Sequence, residues 1–191
     1  EIMELLEQLE HYVPWNEQEA ADRRELLRRL HSGEPLYTRE NASAHLTASA
    51  WVVSPDRQKV LLAYHNLYDS WAWLGGHADG ERDLLAVALR EVREESGLVT
   101  VTPVTPELYS LEILTVDGHE KHGRYVSSHL HLNVTYLLEA DPAQPIRRKA
   151  DENSAVGWFT PEEAIAASSE PWFRERIYSK LNAKLSLFPA Q

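Results

Sequence analysis

Apolar positions in this chain keep a helical period at both ends and a strand period in the middle. Ile2, Leu5, Leu6 and Leu9 recur at helical spacing and predict a short first helix, which Pro14 interrupts. Asn16 followed by Glu19 reads as an N-cap with an N3 side chain reaching back. Leu26, Leu27 and Leu30 then supply the apolar face of a second helix, ended by Gly33 and Pro35. From His45 the pattern becomes strand-like. His45 to Ser54 and Lys59 to His65 flank the turn Pro55-Asp56-Arg57-Gln58 and predict a hairpin. The nearly all-apolar VLLAY run suits a strand buried on both faces. Trp71 to Leu74 reads as a short strand leading into Gly75-Gly76, a strand-to-helix loop.

The next helix spans about Asp83 to Ser96 and stops at Gly97, a natural C′ residue. Val99 to Val104 is strand-like, but Pro103 and Pro106 confine it to an edge or an end. Leu108 to Val116 is a further strand, and Asp117 to Gly123 a polar loop. Tyr125 to Glu139 alternates, with Leu130, Leu132, Val134 and Tyr136 on one face and His129, His131, Asn133 and Thr135 on the other. Ala155 to Phe159 is a short final strand. Thr160-Pro161-Glu162-Glu163 then starts a helix with an N-cap, a proline at N1 and a glutamate at N3. A last helix runs from about Pro171 to Leu185. This order predicts an α/β fold, a mixed sheet with helices on both sides. Residues 1–44 form a helical extension and residues 45–191 the main domain. The extension is expected to pack on the core; a homodimer interface or a substrate rim is the alternative.

Three carboxylates mark the helix after the glycine pair. Glu91, Glu94 and Glu95 sit at i, i+3 and i+4 and share one side. Such like charges destabilise a helix by about 0.2–0.5 kcal/mol per pair, so a counter-charge is expected. A solvated acidic face is the plain alternative. Helical phase argues against it, because Leu84 and Val87 lie one heptad before Glu91 and Glu94 and continue the same side toward the core. A hard cation such as Mg²⁺ takes carboxylate oxygens and bridges to phosphates.

Composition narrows the choice. The 191 residues are 43% hydrophobic, carry a net charge of −11 and contain no cysteine. The negative charge disfavours nucleic acid as a partner, though not a small phosphorylated substrate reached through a bound cation. The missing thiols exclude a disulfide framework and a cysteine nucleophile, and suit a cytoplasmic location. No apolar run approaches the ~20 residues that span a membrane, so no membrane association is expected. The chain begins at Glu1, so an initiator or a short leader is expected to lie upstream.

The stretch from Gly75 to Leu98 resembles the signature of the Nudix (MutT-like) hydrolases, G-x5-E-x7-R-E-U-x-E-E-x-G-U with U apolar. Arg90-Glu91-Val92-Arg93-Glu94-Glu95-Ser96-Gly97-Leu98 meets every fixed position of its second half. Gly75 to Glu81 has the family spacing, but one extra residue separates Glu81 from Arg90. The first glutamate's role therefore falls to Glu81 across an insertion, or to Asp79 or Asp83. The resemblance implies an α/β/α sandwich and Mg²⁺-dependent hydrolysis of a nucleoside diphosphate linked to another moiety, with Mn²⁺ as a substitute. It makes Glu91, Glu94 and Glu95 the metal ligands and Arg90 the residue that orients a carboxylate. The water-activating base is Glu94, Glu95 or Glu152. Gly75, Gly76 and His77 would approach the substrate, and the Gly76 carbonyl is either a further ligand or the glycine is purely conformational.

Other positions carry weaker signals. His129 and His131 share a strand face and read as cleft lining, as satisfied sheet residues or as a transition-metal pair. Trp71, Trp73, Tyr64, Tyr68 and Trp158 are candidates to stack on a base, although most aromatics serve the core. An isomerase acting on isopentenyl diphosphate shares the fold but needs a cysteine. An mRNA-decapping role would want a basic surface. A non-catalytic sensor of nucleotide metabolites remains the rival class.

Overall fold

The computed structural model describes residues 3–151 and 153–191; Ile2 and Glu152, both singled out above, lie outside the described residues. Helices α1 (Leu5–His11) and α2 (Glu17–Ser32) lead the chain. Asn16 caps α2 by accepting from the Glu19 N–H at 2.9 Å, and Gly33 closes it with φ 79°. Strands β1 (Ala44–Val53), β2 (Val60–His65), β3 (Ser70–Ala72) and β4 (Leu74–His77) precede helix α3 (Leu84–Ser96). Then come β5 (Thr102–Pro103), β6 (Ser110–Val116), β7 (His119–Lys121), β8 (Arg124–Val126), β9 (His129–Glu139), β10 (Asn153–Phe159) and α4 (Pro161–Ala167). The last helical segment is a π-turn, Phe173–Tyr178, continued by α5 (Ser179–Ala183) and a 3₁₀ turn, Lys184–Leu187.

The spine of the sheet is β1 against β9, parallel from Ala44↔Leu130 to Val53↔Glu139. β1 is buried along its whole length and β9 over Leu132–Leu138, so the polar face that alternation gave β9 is covered as well, beyond the both-face burial expected only of the VLLAY strand. All other pairings are antiparallel, in the order β10-β2-β1-β9-β5, with β3 on β2, β4 on β1 and β6 on β9. One face packs Leu46, Ala48, Leu132 and Val134 against α1 and α3 through Leu5, Leu9, Val87 and Val92. The other packs Trp51, Leu62 and Leu137 against Tyr178 and Leu181 of the C-terminal helical segment. The result is the mixed-sheet, helix-flanked architecture expected from the sequence, with its N-terminal helices.

Helix α2 also covers an open strand edge. The Asp22 carboxylate accepts from the Ile113 N–H at 3.0 Å, and the Gln18 amide donates to the Leu111 carbonyl at 3.0 Å. These side chains stand in for the strand that β6 lacks on that side. Beneath them lies a buried ionic seam. Glu19 meets Lys180 at 3.1 Å and Lys184 at 3.3 Å, and Lys180 meets Glu112 at 3.0 Å. Glu112 and the amide of Asn133 are joined at 3.1 Å, and Asn133 accepts from Thr47 and Ser49 at 2.8 and 2.9 Å. The seam ties α2 and the C-terminal helix to the middle of the sheet.

Several element boundaries differ from the sequence reading. Gly75 and Gly76 do not form the strand-to-helix loop; they are extended in β4, paired with Ser49 and Ala48. The chain turns later, over residues 78–83, where Asp79 and Gly80 have φ of 45° and 91°. The polar run at 117–123 holds one strand and the turn of a small hairpin, β7–β8, with positive φ at His122 and Gly123. Its residues are mostly exposed, so no apolar alternation announced the strands. That hairpin also splits the long strand expected from Tyr125, at Ser127–Ser128. The strand expected at Val99–Val104 shrinks to Thr102–Pro103, paired with Glu139 and Leu138 at the end of β9. The β1–β2 hairpin is paired only at Val53↔Val60; β4 takes the rest of the β1 edge.

Candidate functional site

Helix α3 is built to hold its last turns against β4. Asp83 caps it, accepting from the Ala86 N–H at 3.1 Å, and Gly97 ends it at φ 75°. Leu84, Val87, Ala88 and Val92 are buried beneath the sheet. That phase carries Glu95 inward, to 8% exposure, and leaves Glu91 half-buried at the β4 side. Glu94 is exposed, on the solvent edge of the group rather than facing the body as the heptad argument expected. The offset arises because one residue is 100° of helix, so neighbours Glu94 and Glu95 cannot both face the core.

The glycine pair shapes this corner. Gly75 N–H donates to Glu95 Oε1 at 3.3 Å. A Cβ on Gly76 would lie 2.5 Å from Glu91 Cδ, so the carboxylate occupies the space that glycine leaves open. Arg90 is exposed and its Nη2 is 3.6 Å from Glu91 Oε1; this neighbouring carboxylate, rather than Glu94 one turn on, is its partner. Asn153, at the start of β10, donates to the Glu95 carbonyl at 3.4 Å. Glu91 and Glu95 thus stand beside the glycine pair of β4, with Glu94 exposed on the same end of α3. Carboxylate oxygens of this kind suit a hard, partly hydrated ion such as Mg²⁺.

The three carboxylates considered for the displaced first-glutamate position have local partners of their own. Glu81 accepts from the Asp83 N–H at 2.9 Å, Asp83 is the helix cap, and Asp79 is held by Arg39 through two 2.9 Å hydrogen bonds. Among these, only Glu81 and Asp83 touch the start of α3, and both do so at its first turn.

Residues 43–181 match the family model described as the NUDIX domain. The chain belongs to the Nudix family. No curated protein is a significant sequence match. Among solved structures, a Nudix-family hydrolase from Clostridium perfringens is 23% identical, over 75% of this chain and 97% of that one, with a TM-score of 0.53. The E. coli dihydroneopterin triphosphate pyrophosphohydrolase is 16% identical over 76% and 97% of the chains, with a TM-score of 0.56. A Nudix hydrolase from M. smegmatis is 16% identical over 83% and 99%, with a TM-score of 0.50. These likenesses are likenesses of fold.

In this Nudix domain the histidines lie across the sheet from the carboxylates. Gly76 faces Glu91 on α3, so its strand neighbour His77 points to the opposite face. There it meets His131 and also His45, which sequence reasoning passed over, and both of those rings in turn meet His129. The signal was present in period two: His45 lies two residues before Thr47 on one strand face, as His131 lies two before Asn133. The aromatic candidates mostly pack on each other. Trp71 contacts Tyr64 and Phe159, and Trp73 contacts Phe173 and Tyr178. Tyr68 is 43% exposed. Among the described residues no helix is long and apolar enough to cross a membrane.

Proposed function

We propose that this Nudix domain hydrolyses a pyrophosphate bond in a small phosphorylated substrate, a nucleoside diphosphate linked to another moiety, with Mg²⁺ or Mn²⁺ as the required ion. The observation that supports the reading is the placement of Glu91 and Glu95 against Gly75–Gly76, with Glu94 exposed beside them on the last turns of α3. These three carboxylates would hold the ion. When bound, it neutralises charge that builds on phosphoryl oxygens during the displacement.

The chain's own groups divide the remaining work. Arg90 restrains Glu91 from the solvent side. The Gly75 N–H fixes one oxygen of Glu95. Glu94, exposed and nearest solvent, is the carboxylate available to take the proton of the attacking water at its Oε atoms. Glu152, next to Asn153, is the other base to be tested. With a net charge of −11, attraction of an anionic substrate depends on the ion, which accords with small substrates and not with nucleic acid. The absence of cysteine, and so of any disulfide, accords with a cytoplasmic site of action.

The test is product release from a panel of nucleotide sugars, ADP-ribose, dinucleoside polyphosphates, dinucleotide cofactors and nucleoside triphosphates, with and without Mg²⁺ or Mn²⁺. Metal-dependent cleavage of one class supports the reading and names the substrate. Binding of a panel member with no cleavage would instead favour the metabolite sensor.

A further inference from the structure

Three strands deliver four histidines to one patch of the sheet. His45 on β1 is in register with His131 on β9, and His77 on β4 is opposite Thr47, the residue two beyond His45. His129 precedes His131 by two and points to the same face. Ring centroids are 5.2 Å apart for His45–His77 and His45–His131, 4.8 Å for His45–His129 and 4.9 Å for His77–His131. One ring nitrogen each from His45, His77 and His131 lies within 4.8 Å of the others. The Nε2 atoms of His129 and His131 are 3.2 Å apart. Two imidazoles on one tetrahedral ion, at bonds of about 2.0–2.1 Å, stand roughly 3.3 Å apart.

Hydrogen bonding exposes lone pairs in this patch. His45 Nδ1 is 3.0 Å from the Asn41 carbonyl, which only accepts, so Nδ1 carries the proton of a neutral ring. His45 Nε2 is then a bare acceptor, and it is buried with no hydrogen-bond partner, on a residue only 4% exposed. His129 Nδ1 is likewise held by the Ser127 carbonyl at 2.7 Å. A ring whose Nδ1–H is anchored on a carbonyl while Nε2 points inward is the arrangement that prepares a histidine for a metal. A hydrogen bond from His131 to His129 would satisfy that pair, but it would leave His45 Nε2 without a donor.

We propose that His45, His77, His129 and His131 form a binding site for a divalent transition ion of the zinc class, separate from the carboxylate site on α3. An all-imidazole donor set favours Zn²⁺, Co²⁺, Ni²⁺ or Cu²⁺ over Mg²⁺, which prefers oxygen. His77, His129 and His131 are partly exposed, which gives an ion a path in and lets side-chain rotation close the ligands on it. Burial, with smaller effects from Arg39 and the neighbouring rings, holds His77 down to about 3 and His131 to about 2. Burial also holds His45 below its ordinary value. The site stands on its own geometry and does not depend on the hydrolase reading.

The test is titration of chelator-treated, purified full-length protein with Co²⁺ alone, read by its visible ligand-field bands. We expect one equivalent of Co²⁺ in a nitrogen-ligated site, displaced by Zn²⁺ but not by excess Mg²⁺. His77→Asn and His131→Asn should each weaken binding about tenfold or more, and the double variant should abolish the bands. Glu94→Gln should leave them in place. Should the double variant fail to fold by circular dichroism, His129→Gln alone carries the test, with the same tenfold loss expected. Absence of bands in folded wild-type protein would overturn the proposal, as would bands that survive the histidine changes or vanish in Glu94→Gln.

Discussion

The Glu91 carboxylate fills the space that a side chain on Gly76 would need. A Cβ there would fall 2.5 Å from Glu91 Cδ and 2.7 Å from Oε1. The obstacle is the free end of a side chain, so Gly76→Ala should displace the carboxylate and spare the fold. Metal-dependent turnover should fall about 10²-fold, the usual result of a misplacement near 1 Å, with an unchanged melting temperature. Gly75→Ala should behave differently. Its Cβ would meet the β1 backbone, 2.7 Å from Ser49 Cα, and should cost about 1–3 kcal/mol of stability. Thermal melts and metal titrations of the two variants check the contrast.

Replacing the carboxylates one at a time separates ligand from base. Glu91→Gln and Glu95→Gln should raise the Mg²⁺ concentration needed for half-maximal turnover. Glu94→Gln should lower kcat by about 10²–10³ even at saturating Mg²⁺, the scale of losing one group that acts in the transition state. Glu152→Gln, run beside it, decides the base: a pH–rate profile that loses its acidic limb in only one of the two variants identifies which.

Glu19 should prove a stability residue. It is fully buried, and burial alone would raise its carboxyl pKa. Lys180 and Lys184, with hydrogen bonds from the Trp15 N–H and the Tyr12 hydroxyl, outweigh that and hold it below the ordinary value of 4.5. A depressed carboxylate stabilises the fold above its unfolded pKa, and that contribution is lost as pH falls through the folded one. Stability should therefore drop below about pH 4.5 in the wild type and less steeply in Glu19→Gln. At pH 7 that variant should lose about 3–5 kcal/mol, because it leaves buried ammonium groups undercompensated. Urea melts at pH 7 and across pH 3–5 test both parts.

Glu81 should act on the helix start more than on catalysis. Its hydrogen bond to the Asp83 N–H predicts a loss of about 0.5–2 kcal/mol in Glu81→Ala, with a smaller effect on turnover than Glu94→Gln. Asp79→Asn, which breaks an exposed pair with Arg39, should change stability by less than about 1 kcal/mol. Denaturation midpoints and kcat measured side by side would show whether either residue has taken the displaced glutamate's place.

The local code was legible where it is written in neighbouring residues. Asn16 and Thr160 cap helices, Gly33 and Gly97 end them, and the β9 alternation separates Leu132 and Val134 from His131 and Asn133, because capping and periodicity need only a few consecutive positions. The order of strands and helices, and the carboxylate triplet at i, i+3 and i+4, followed from the same information. Tertiary structure decided what those elements meet. Gly75–Gly76 looked like a turn and is a strand, because pairing with β1 and the Glu91 carboxylate leave no room for side chains there. Arg90 pairs with Glu91, since the ion pair is set by the surface around α3 as well as by helical spacing. Glu19 with Lys180, and His45 with His77 and His131, are far apart in the chain and carry no shared local pattern. Only the closing of α2 on the β6 edge and the parallel register of β1 with β9 bring them together, and burial then turns ordinary polar residues into an ionic seam and a cluster of neutral rings.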